Sequence, residues 1–100
     1  MKIYAHRGLS GKFPEGSKSA YEAAVKAGAD GFECDIRLTK DGIPICFHDR
    51  NTKRITGRKG YVARLTLTQM LERYEIITLE ELLKLAIEKK RDLIIETKHP

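Results

Sequence analysis

Three segments of the chain carry apolar residues in an extended, strand-like pattern, and amphipathic helical patterns separate them. The strand-like segments cover residues 2–6, 30–37 and 92–98. Apolar residues recur at helical spacing after Ser17, after Thr66 and after Thr78, which is typical of helices with one buried face. Strands that alternate with helices predict an α/β fold with a parallel sheet and right-handed crossovers.

Polar residues at the start of each helical pattern are placed to cap the first helical turn. Either Ser17 or Ser19 can cap the first helix, and Ser19 with Glu22 has the spacing of a capping box. The same spacing recurs in two further pairs, Thr66 with Gln69 and Thr78 with Glu81. The last helix is expected to bury one apolar face, formed by Leu79, Leu82, Leu83 and Ala86.

The segments between these elements are less regular. Residues 43–47 predict an extended stretch at the edge of the sheet, because Pro44 has no backbone donor for a central strand. Residues 51–64 are polar, basic and interrupted by glycine, which predicts a surface loop. The strand-like segment 92–98 is apolar in its first half, as is typical of a strand buried on both faces.

The second strand carries two acids on one face. Side chains alternate between the faces of a strand, so Glu33 and Asp35 point to the same side, opposite Phe32 and Cys34. Two like charges in a partly buried space repel, and a divalent cation or a basic side chain would relieve that repulsion. Taken alone, such a pair is more often a solvated feature of a strand than a metal site.

Chemically active residues gather at the ends of the predicted strands. They are His6, Arg7, Glu33, Asp35, His48, Glu96 and Lys98. In parallel α/β folds the carboxyl ends of the strands lie at one edge, where binding sites form. Packing alone does not account for so many ionisable groups there, so the set predicts a functional site.

The acidic members of this set predict a metal site. Oxygen ligands from Glu33, Asp35 and Glu96 suit a hard cation, Mg²⁺ or Ca²⁺, better than zinc. Arg7 and Lys98 beside such a cation would form a pocket for a phosphate oxyanion.

The two histidines complete the predicted chemistry. Imidazoles of His6 and His48 could take a proton from the attacking hydroxyl and return one to the leaving alkoxide. The site therefore predicts metal-assisted cleavage of a phosphodiester.

The composition of the chain excludes only a few classes of protein. The 100 residues are 41% hydrophobic, carry a net charge of +5 and suffice for one small domain. No apolar run approaches the roughly 18 residues of a membrane span, and the N-terminus lacks a secretory signal, so we expect a cytoplasmic protein. Cys34 and Cys46 are expected to be reduced core residues, although a disulfide between them stays open.

The basic stretch from Arg50 to Arg64 leaves another class of function open. It could steer any anionic ligand, and it allows a weak, salt-sensitive nucleic-acid surface. That alternative leaves the carboxylates at the strand ends unexplained, so we expect no nucleic-acid partner.

The motifs together resemble the glycerophosphodiester phosphodiesterase family. The resemblance rests, in chain order, on His6-Arg7-Gly8, Pro14-Glu15, Gly31-Phe32-Glu33-Cys34-Asp35, Thr39-Lys40-Asp41-Gly42, His48-Asp49, Thr78-Leu79-Glu80-Glu81 and Glu96-Thr97-Lys98. It covers the whole chain and implies a TIM (β/α)8 barrel, of which residues 1–100 hold the N-terminal portion with the first three barrel strands. It also implies hydrolysis of a small-molecule glycerophosphodiester to an alcohol and sn-glycerol 3-phosphate with a divalent metal.

The same resemblance implies roles for individual residues. His6 and His48 would be the acid/base pair, and Glu15 would support the His6 loop. The cation would be held by Glu33, Asp35 and Glu96, and the phosphate by Arg7 and Lys98.

Two features depart from the family pattern. Gly16 stands where the family usually has asparagine, which removes an amide from the loop. A TIM barrel takes roughly 250 residues, so a C-terminal part or self-association would have to complete the sheet. A truncated, non-catalytic module that binds phosphate or metal is the alternative function.

Overall fold

The computed structural model describes residues 2–8 and 10–98, which form an α/β unit. Its strands are β1 (Tyr4–His6), β2 (Gly31–Leu38), β3 (Pro44–Cys46) and β4 (Asp92–Thr97). Its helices are α1 (Lys18–Lys26), α2 (Lys53–Thr56), α3 (Leu67–Arg73) and α4 (Leu79–Lys89), with a short 3-10 helix at Val62–Arg64. The predicted alternation of strands and helices is confirmed.

Strand β2 is the centre of the sheet. It pairs in parallel with β1 and with β4, and its C-terminal half pairs antiparallel with β3. The backbone amides of Arg7 and Phe47 donate to the carbonyls of Glu33 and Asp35, which are two residues apart and so point to the same edge of β2. Thus β1 and β3 follow one another along one edge of β2, and β4 covers the other edge.

The helices cover one face of β2 and leave the other face for the charged residues. Phe32, Cys34 and Ile36 pack against α1 and α4, as the alternation predicts. The two cysteines are free and buried, which confirms that they are core residues. A second apolar cluster lies under the chain between β3 and α4 and comprises Ile45, Phe47, Val62, Leu65, Met70 and Ile76.

Two of the three predicted capping boxes are present. Thr66 with Gln69 caps α3, and Thr78 with Glu81 caps α4. The Ser19 box is wrong, because the N-cap of α1 is Ser17 and Ser19 lies inside the helix. The Ser19 amide and hydroxyl instead donate to the carboxylate of Glu75, before α4.

Residues 51–64 are more ordered than the predicted surface loop. They contain α2 and the 3-10 helix, and Thr52 and Val62 are buried. The buried Thr52 hydroxyl donates to the Arg58 carbonyl and closes the segment on itself. Sequence reasoning failed here because the polar composition conceals two inward-facing residues.

Burial at β4 and α4 also differs from expectation. Ile94 and Ile95 are 49% and 41% exposed, so β4 is not buried on both faces. On α4, Leu82 and Ala86 are buried, but Leu83 is exposed. Among the described residues, one edge of β4 pairs with β2, and the other pairs with no strand.

No helix in the described part of the chain has the length and apolarity that crossing a membrane would require.

Candidate active site

The register of the parallel strands brings the predicted residues onto one face of the sheet. His6 is the register partner of Glu33, and Asp35 is the register partner of Glu96. Register partners on neighbouring strands project to the same side, so these four side chains share the face that the helices leave free. Lys98 follows Glu96 by two residues and projects to that side as well.

The loop after β1 is held close to β2 by a strained backbone. Arg7 adopts a φ of 56°, which is rare for a residue other than glycine, and its amide donates to the Glu33 carbonyl at 3.0 Å. His6 Nε2 lies 3.3 Å from Glu33 Oε1. The His6 imidazole and the Glu33 carboxylate are thereby brought side by side.

Asp35 is the buried centre of the site, with only 5% of its surface exposed. One of its oxygens lies 3.5 Å from Arg7 Nε, and the other lies 3.7 Å from Lys98 Nζ. The Lys98 ammonium also donates to Glu96 Oε1 at 2.9 Å and lowers the pKa of that carboxyl group. Two cations therefore flank the carboxylate, which a buried charge requires.

One donor atom of Arg7, the Nε that faces Asp35, forms an ion pair without a hydrogen bond. The Arg7 Nε is buried, and within residues 2–8 and 10–98 no acceptor is placed to form a hydrogen bond with it. A buried donor without a partner costs about 1–3 kcal/mol, so it is suited to an oxygen supplied by a ligand.

The carboxylates have the chemistry of a hard-cation site but are not closed around one. In the described part of the chain, no three His, Cys, Asp or Glu side chains stand close enough to hold a metal ion. Glu33, Asp35 and Glu96 nevertheless share one face, and the ammonium of Lys98 already lies between two of them. The donor set therefore has the oxygen chemistry that a hard cation prefers, but the described side chains do not converge on one point.

His48 belongs to a second group of contacts, at the end of β3. Arg37 Nε donates to the His48 carbonyl at 2.8 Å and fixes the backbone there. His48 Nδ1 lies 2.8 Å from Asp49 Oδ1. An Nδ1 that pairs with a carboxylate leaves the other ring nitrogen, Nε2, for proton transfer.

Arg54 connects the two groups and was missed by the sequence reasoning. Its guanidinium donates to both oxygens of Asp49 at 2.8 and 3.0 Å and to both oxygens of Glu15 at 2.8 and 3.1 Å. Glu15 in turn accepts a 2.9 Å bond from Arg7. A continuous chain of charged contacts thus runs from His48 through Arg54 to Arg7 and the buried Asp35.

These contacts shift the pKa values of the acids in the chain. Arg54 above all, with a further contribution from His48, lowers the pKa of Asp49 from 3.8 to about 2. Arg54 and Arg7 lower the pKa of Glu15, and the carboxylate of Asp49, followed by that of Glu15, raises the pKa of Arg54. Both acids are ionised at neutral pH.

The Pro14-Glu15-Gly16-Ser17 loop is held by its backbone. The Gly16 amide donates to the Arg7 carbonyl at 2.8 Å, and Gly16 has a φ of 65°, which glycine adopts at little cost. The Tyr74 hydroxyl donates to the Glu15 carbonyl at 2.6 Å. The amide missing from the family pattern is therefore not needed to join this loop to Arg7.

The predicted site residues thus form two linked groups. The first contains His6, Arg7, Glu33, Asp35, Glu96 and Lys98. The second contains His48, and Glu15 bridges the two groups through its bond to Arg7, in the His6 loop that it was predicted to support. The one signal for Arg54 in the sequence is its place in the basic stretch shortly after His48-Asp49, and that signal is weak.

Comparison with known proteins identifies one family. A model of the glycerophosphoryl diester phosphodiesterase family matches residues 6–100. A Mycobacterium tuberculosis protein named "Probable glycerophosphodiester phosphodiesterase 1" is 38% identical, over 98% of this chain and 43% of its own length. A glycerophosphodiester phosphodiesterase of Bacillus altitudinis is 45% identical over 69% of this chain and 28% of its own.

Solved structures give the same result. A glycerophosphodiester phosphodiesterase from Thermotoga maritima superposes with a TM-score of 0.90 at 33% identity, covering 99% of this chain and 45% of its own. A phosphodiesterase from Oleispira antarctica, solved in complex with its product sn-glycerol-3-phosphate, has a TM-score of 0.85 at 29% identity and covers 98% of this chain and 44% of its own. The chain spans less than half the length of each of these relatives.

Proposed function

Because the chain belongs to the glycerophosphoryl diester phosphodiesterase family, we propose that it carries the catalytic N-terminal part of an enzyme that hydrolyses glycerophosphodiesters. The products are an alcohol and sn-glycerol 3-phosphate, the product bound by the Oleispira antarctica relative. The observation that carries the proposal is the single face on which two cations flank the buried Asp35 beside Glu33 and Glu96.

The fold of the whole enzyme is part of the same proposal. Strands β1, β2 and β4 would be the first three strands of a TIM (β/α)8 barrel, with β3 as an edge addition outside the barrel. The parallel pairing and the apolar residues exposed on β4 support this assignment. The face of Glu33 and Asp35 would line the barrel interior at the carboxyl ends of the strands, where TIM-barrel sites lie.

Arg7 and Lys98 are proposed to bind the phosphate of the substrate. The Nε of Arg7, which makes no hydrogen bond, and the ammonium of Lys98 approach Asp35 from two sides, so an oxyanion beside them would meet a donor from each. Charge-assisted hydrogen bonds of this kind stabilise the charge that develops on the phosphoryl oxygens. Glu15 holds the Arg7 guanidinium in place.

Glu33, Asp35 and Glu96 are proposed to hold a divalent cation, Mg²⁺ or Ca²⁺. When bound, such a cation withdraws electron density from a phosphoryl oxygen. Until then Lys98 offsets the charge of two of these three carboxylates.

His6 and His48 are proposed to exchange the protons of the reaction. One imidazole takes the proton of the attacking hydroxyl, and the other protonates the alkoxide that leaves phosphorus, so the bond to the alcohol breaks without a free alkoxide. Asp49 orients the His48 ring through Nδ1.

Turnover tests the proposal directly. Hydrolysis of glycerophosphocholine or glycerophosphoethanolamine, measured with this chain and with any longer protein that contains it, should be abolished by His6→Ala, by Glu33→Ala or by a chelator. Arg58→Gln, which removes an exposed charge outside the site, is the control. Full activity of the His6 or Glu33 variant would remove the role proposed for that residue.

A second candidate function is a phosphate- or metal-binding module without turnover. It is favoured by the exposed apolar residues of β4 and by the 45% of the Thermotoga maritima relative that the chain covers. Calorimetry with Ca²⁺ and with glycerol 3-phosphate, run beside the turnover assay, separates the two, since binding without turnover supports the module.

Location and partners complete the proposal. A cytoplasmic location is supported by the two buried, free thiols, which a reducing compartment preserves. The partner is a small molecule, and the exposed residues of β4 leave room for a further part of the protein or a second copy to complete the sheet.

A further inference from the structure

A recess of about 530 Å³ lies beside the proposed phosphate site, between the end of β2 and the 3-10 helix. Its charged lining consists of Arg37, Arg50, Arg64 and Lys98, with Tyr61 between two of them and small or apolar residues elsewhere. The lining includes no carboxylate. The recess is large enough for a small polar molecule.

The three arginines that line the recess have no carboxylate partner among the described residues, in contrast to Arg7 and Arg54. Arg7 and Arg54 each form ion pairs with carboxylates. Within residues 2–8 and 10–98, no carboxylate comes within 4.0 Å of the guanidinium nitrogens of Arg37, Arg50 or Arg64, and Lys98 alone of the lining cations has acidic partners.

The positive charges also act on one another. Arg37, Arg50, Arg64 and Lys98 all line the same recess, so their charges face one shared space. Like charges gathered around one recess repel one another, and an anion bound between them would relieve that repulsion.

Tyr61 holds two of the arginines in a fixed arrangement. The guanidinium carbons of Arg50 and Arg64 lie 5.8 and 5.4 Å from the centre of its ring. A cation stacked on an aromatic face keeps its N–H groups available at the rim. Stacking therefore orders the two side chains without neutralising their charge.

Lys98 joins the recess to the reacting centre. Its ammonium contacts Asp35 and Glu96, and the same side chain lines the recess. A molecule whose phosphodiester lies at Arg7 and Lys98 would therefore extend its remaining part toward Arg37, Arg50 and Arg64.

We propose that this recess binds an anionic group, a phosphate or a carboxylate, carried on the alcohol part of the substrate. The inference rests on the proposed function for the identity of the substrate, and on the cavity and its arginines without acidic partners for the anion. The preferred substrates are then glycerophosphodiesters whose alcohol itself bears a negative charge.

Binding of a free anion tests the recess without any turnover. Inorganic phosphate is titrated into the ¹⁵N-labelled chain while the Nε–H signals of its arginines are followed by NMR. We expect the signals of Arg50 and Arg64 to shift as phosphate binds. Replacing either residue by glutamine should weaken phosphate binding about tenfold, or about 1.4 kcal/mol, as followed at the signal of the other residue. Unmoved Arg50 and Arg64 signals in the wild-type chain would overturn the proposal.

Arg58→Gln is the matched control, because it removes the same charge from the same basic segment without changing the lining. It should bind phosphate as the wild type does. A loss equal to that of Arg50→Gln would mean that the overall charge attracts the anion, and would contradict a specific recess. Backbone spectra show whether each variant is folded.

A pair of substrates then tests where the anion is carried. The first is the diester of glycerol phosphate with glycerol, and the second is the same compound with a phosphate on the terminal hydroxyl of the alcohol. The ratio of kcat/KM, second over first, should exceed one and fall about tenfold in Arg50→Gln and Arg64→Gln, but not in Arg58→Gln.

The outcomes distinguish the two proposals. If the Arg50 and Arg64 variants leave this ratio unchanged, the proposal that the substrate carries the anion on its alcohol is refuted, even if free phosphate binds. If neither diester is hydrolysed by this chain or by a longer protein that contains it, the proposed function fails, and with it the assignment of the anion to a substrate. The phosphate titration then shows by itself whether the recess binds an anion.

Discussion

Replacing Arg54 by glutamine removes one guanidinium group from two carboxylates at once. Four hydrogen bonds are lost, two to Asp49 and two to Glu15. Neither acid is left without a partner, because Asp49 keeps His48 and Glu15 keeps Arg7. The substitution therefore weakens the network without leaving a carboxylate unpaired.

The size of the effect follows from the pKa of Asp49. Its fall from 3.8 to about 2 corresponds to roughly 2.5 kcal/mol at about 1.4 kcal/mol per pKa unit. Arg54 is half exposed, at 51% of its side chain, so solvent screening reduces its share of the stabilisation. We expect Arg54→Gln to lower the free energy of unfolding by about 1 kcal/mol at pH 7.

The direction of these pKa shifts determines how the effect of Arg54→Gln changes with pH. Asp49 and Glu15 have lowered pKa values in the folded chain, so the stability they provide is present above their unfolded values and is lost as the pH falls. The difference between the wild type and Arg54→Gln should therefore shrink between about pH 5 and pH 2. In the variant, the pKa of Asp49 should move back toward 3.8.

Urea unfolding at pH 7, 4 and 2.5 measures the free energies, and ¹³C carboxyl shifts measure the pKa of Asp49. Arg58→Gln is the control for the loss of one positive charge from the same segment. A stability difference of equal size at all three pH values, or an Asp49 that still titrates near 2 in the variant, would refute this reasoning.

Substitutions at three further positions test the scaffold in urea unfolding experiments. Thr78→Ala removes the N-cap of α4 and should cost about 1 kcal/mol, whereas Thr78→Ser should restore most of it. Gly8→Ala places a Cβ 2.7 Å from the Ala20 backbone at a φ of 77° and should cost at least about 2 kcal/mol; a smaller loss would mean that the loop can move away. Tyr74→Phe loses the hydroxyl bonded to Glu15 and should cost about 1 kcal/mol. Burial raises the pKa of Tyr74 to about 12, so the wild type loses stability as the pH rises from 10 to 12. Tyr74→Phe should lose less stability over the same range.

The part of the site that lies on strands could be predicted because it depends on local rules. The two-residue period assigns Glu33 and Asp35 to one face, and parallel pairing brings the strand ends together whatever the intervening chain. The caps at Thr66 and Thr78 are equally local, since each involves residues three apart. These features need no knowledge of distant contacts.

The features that escaped prediction depend on contacts between distant segments. Arg54 meets Glu15 across 39 residues of sequence. Ser19 has the spacing of a capping box, but it bonds to Glu75 from a remote segment while Ser17 caps the helix. The exposure of Ile94 and Ile95 depends on what packs against β4, which the residues of the strand do not encode.

The central position of β2 has a consequence for the order in which the chain can fold during synthesis. Gly31 pairs with Asp92, and Ile36 with Thr97, so one edge of β2 acquires its partner only after α4 has been made. Such long-range parallel pairing is slow compared with the formation of local helices. On the ribosome, α1 can therefore form early, whereas the carboxylate of Asp35 meets its second cation only when residue 98 has emerged.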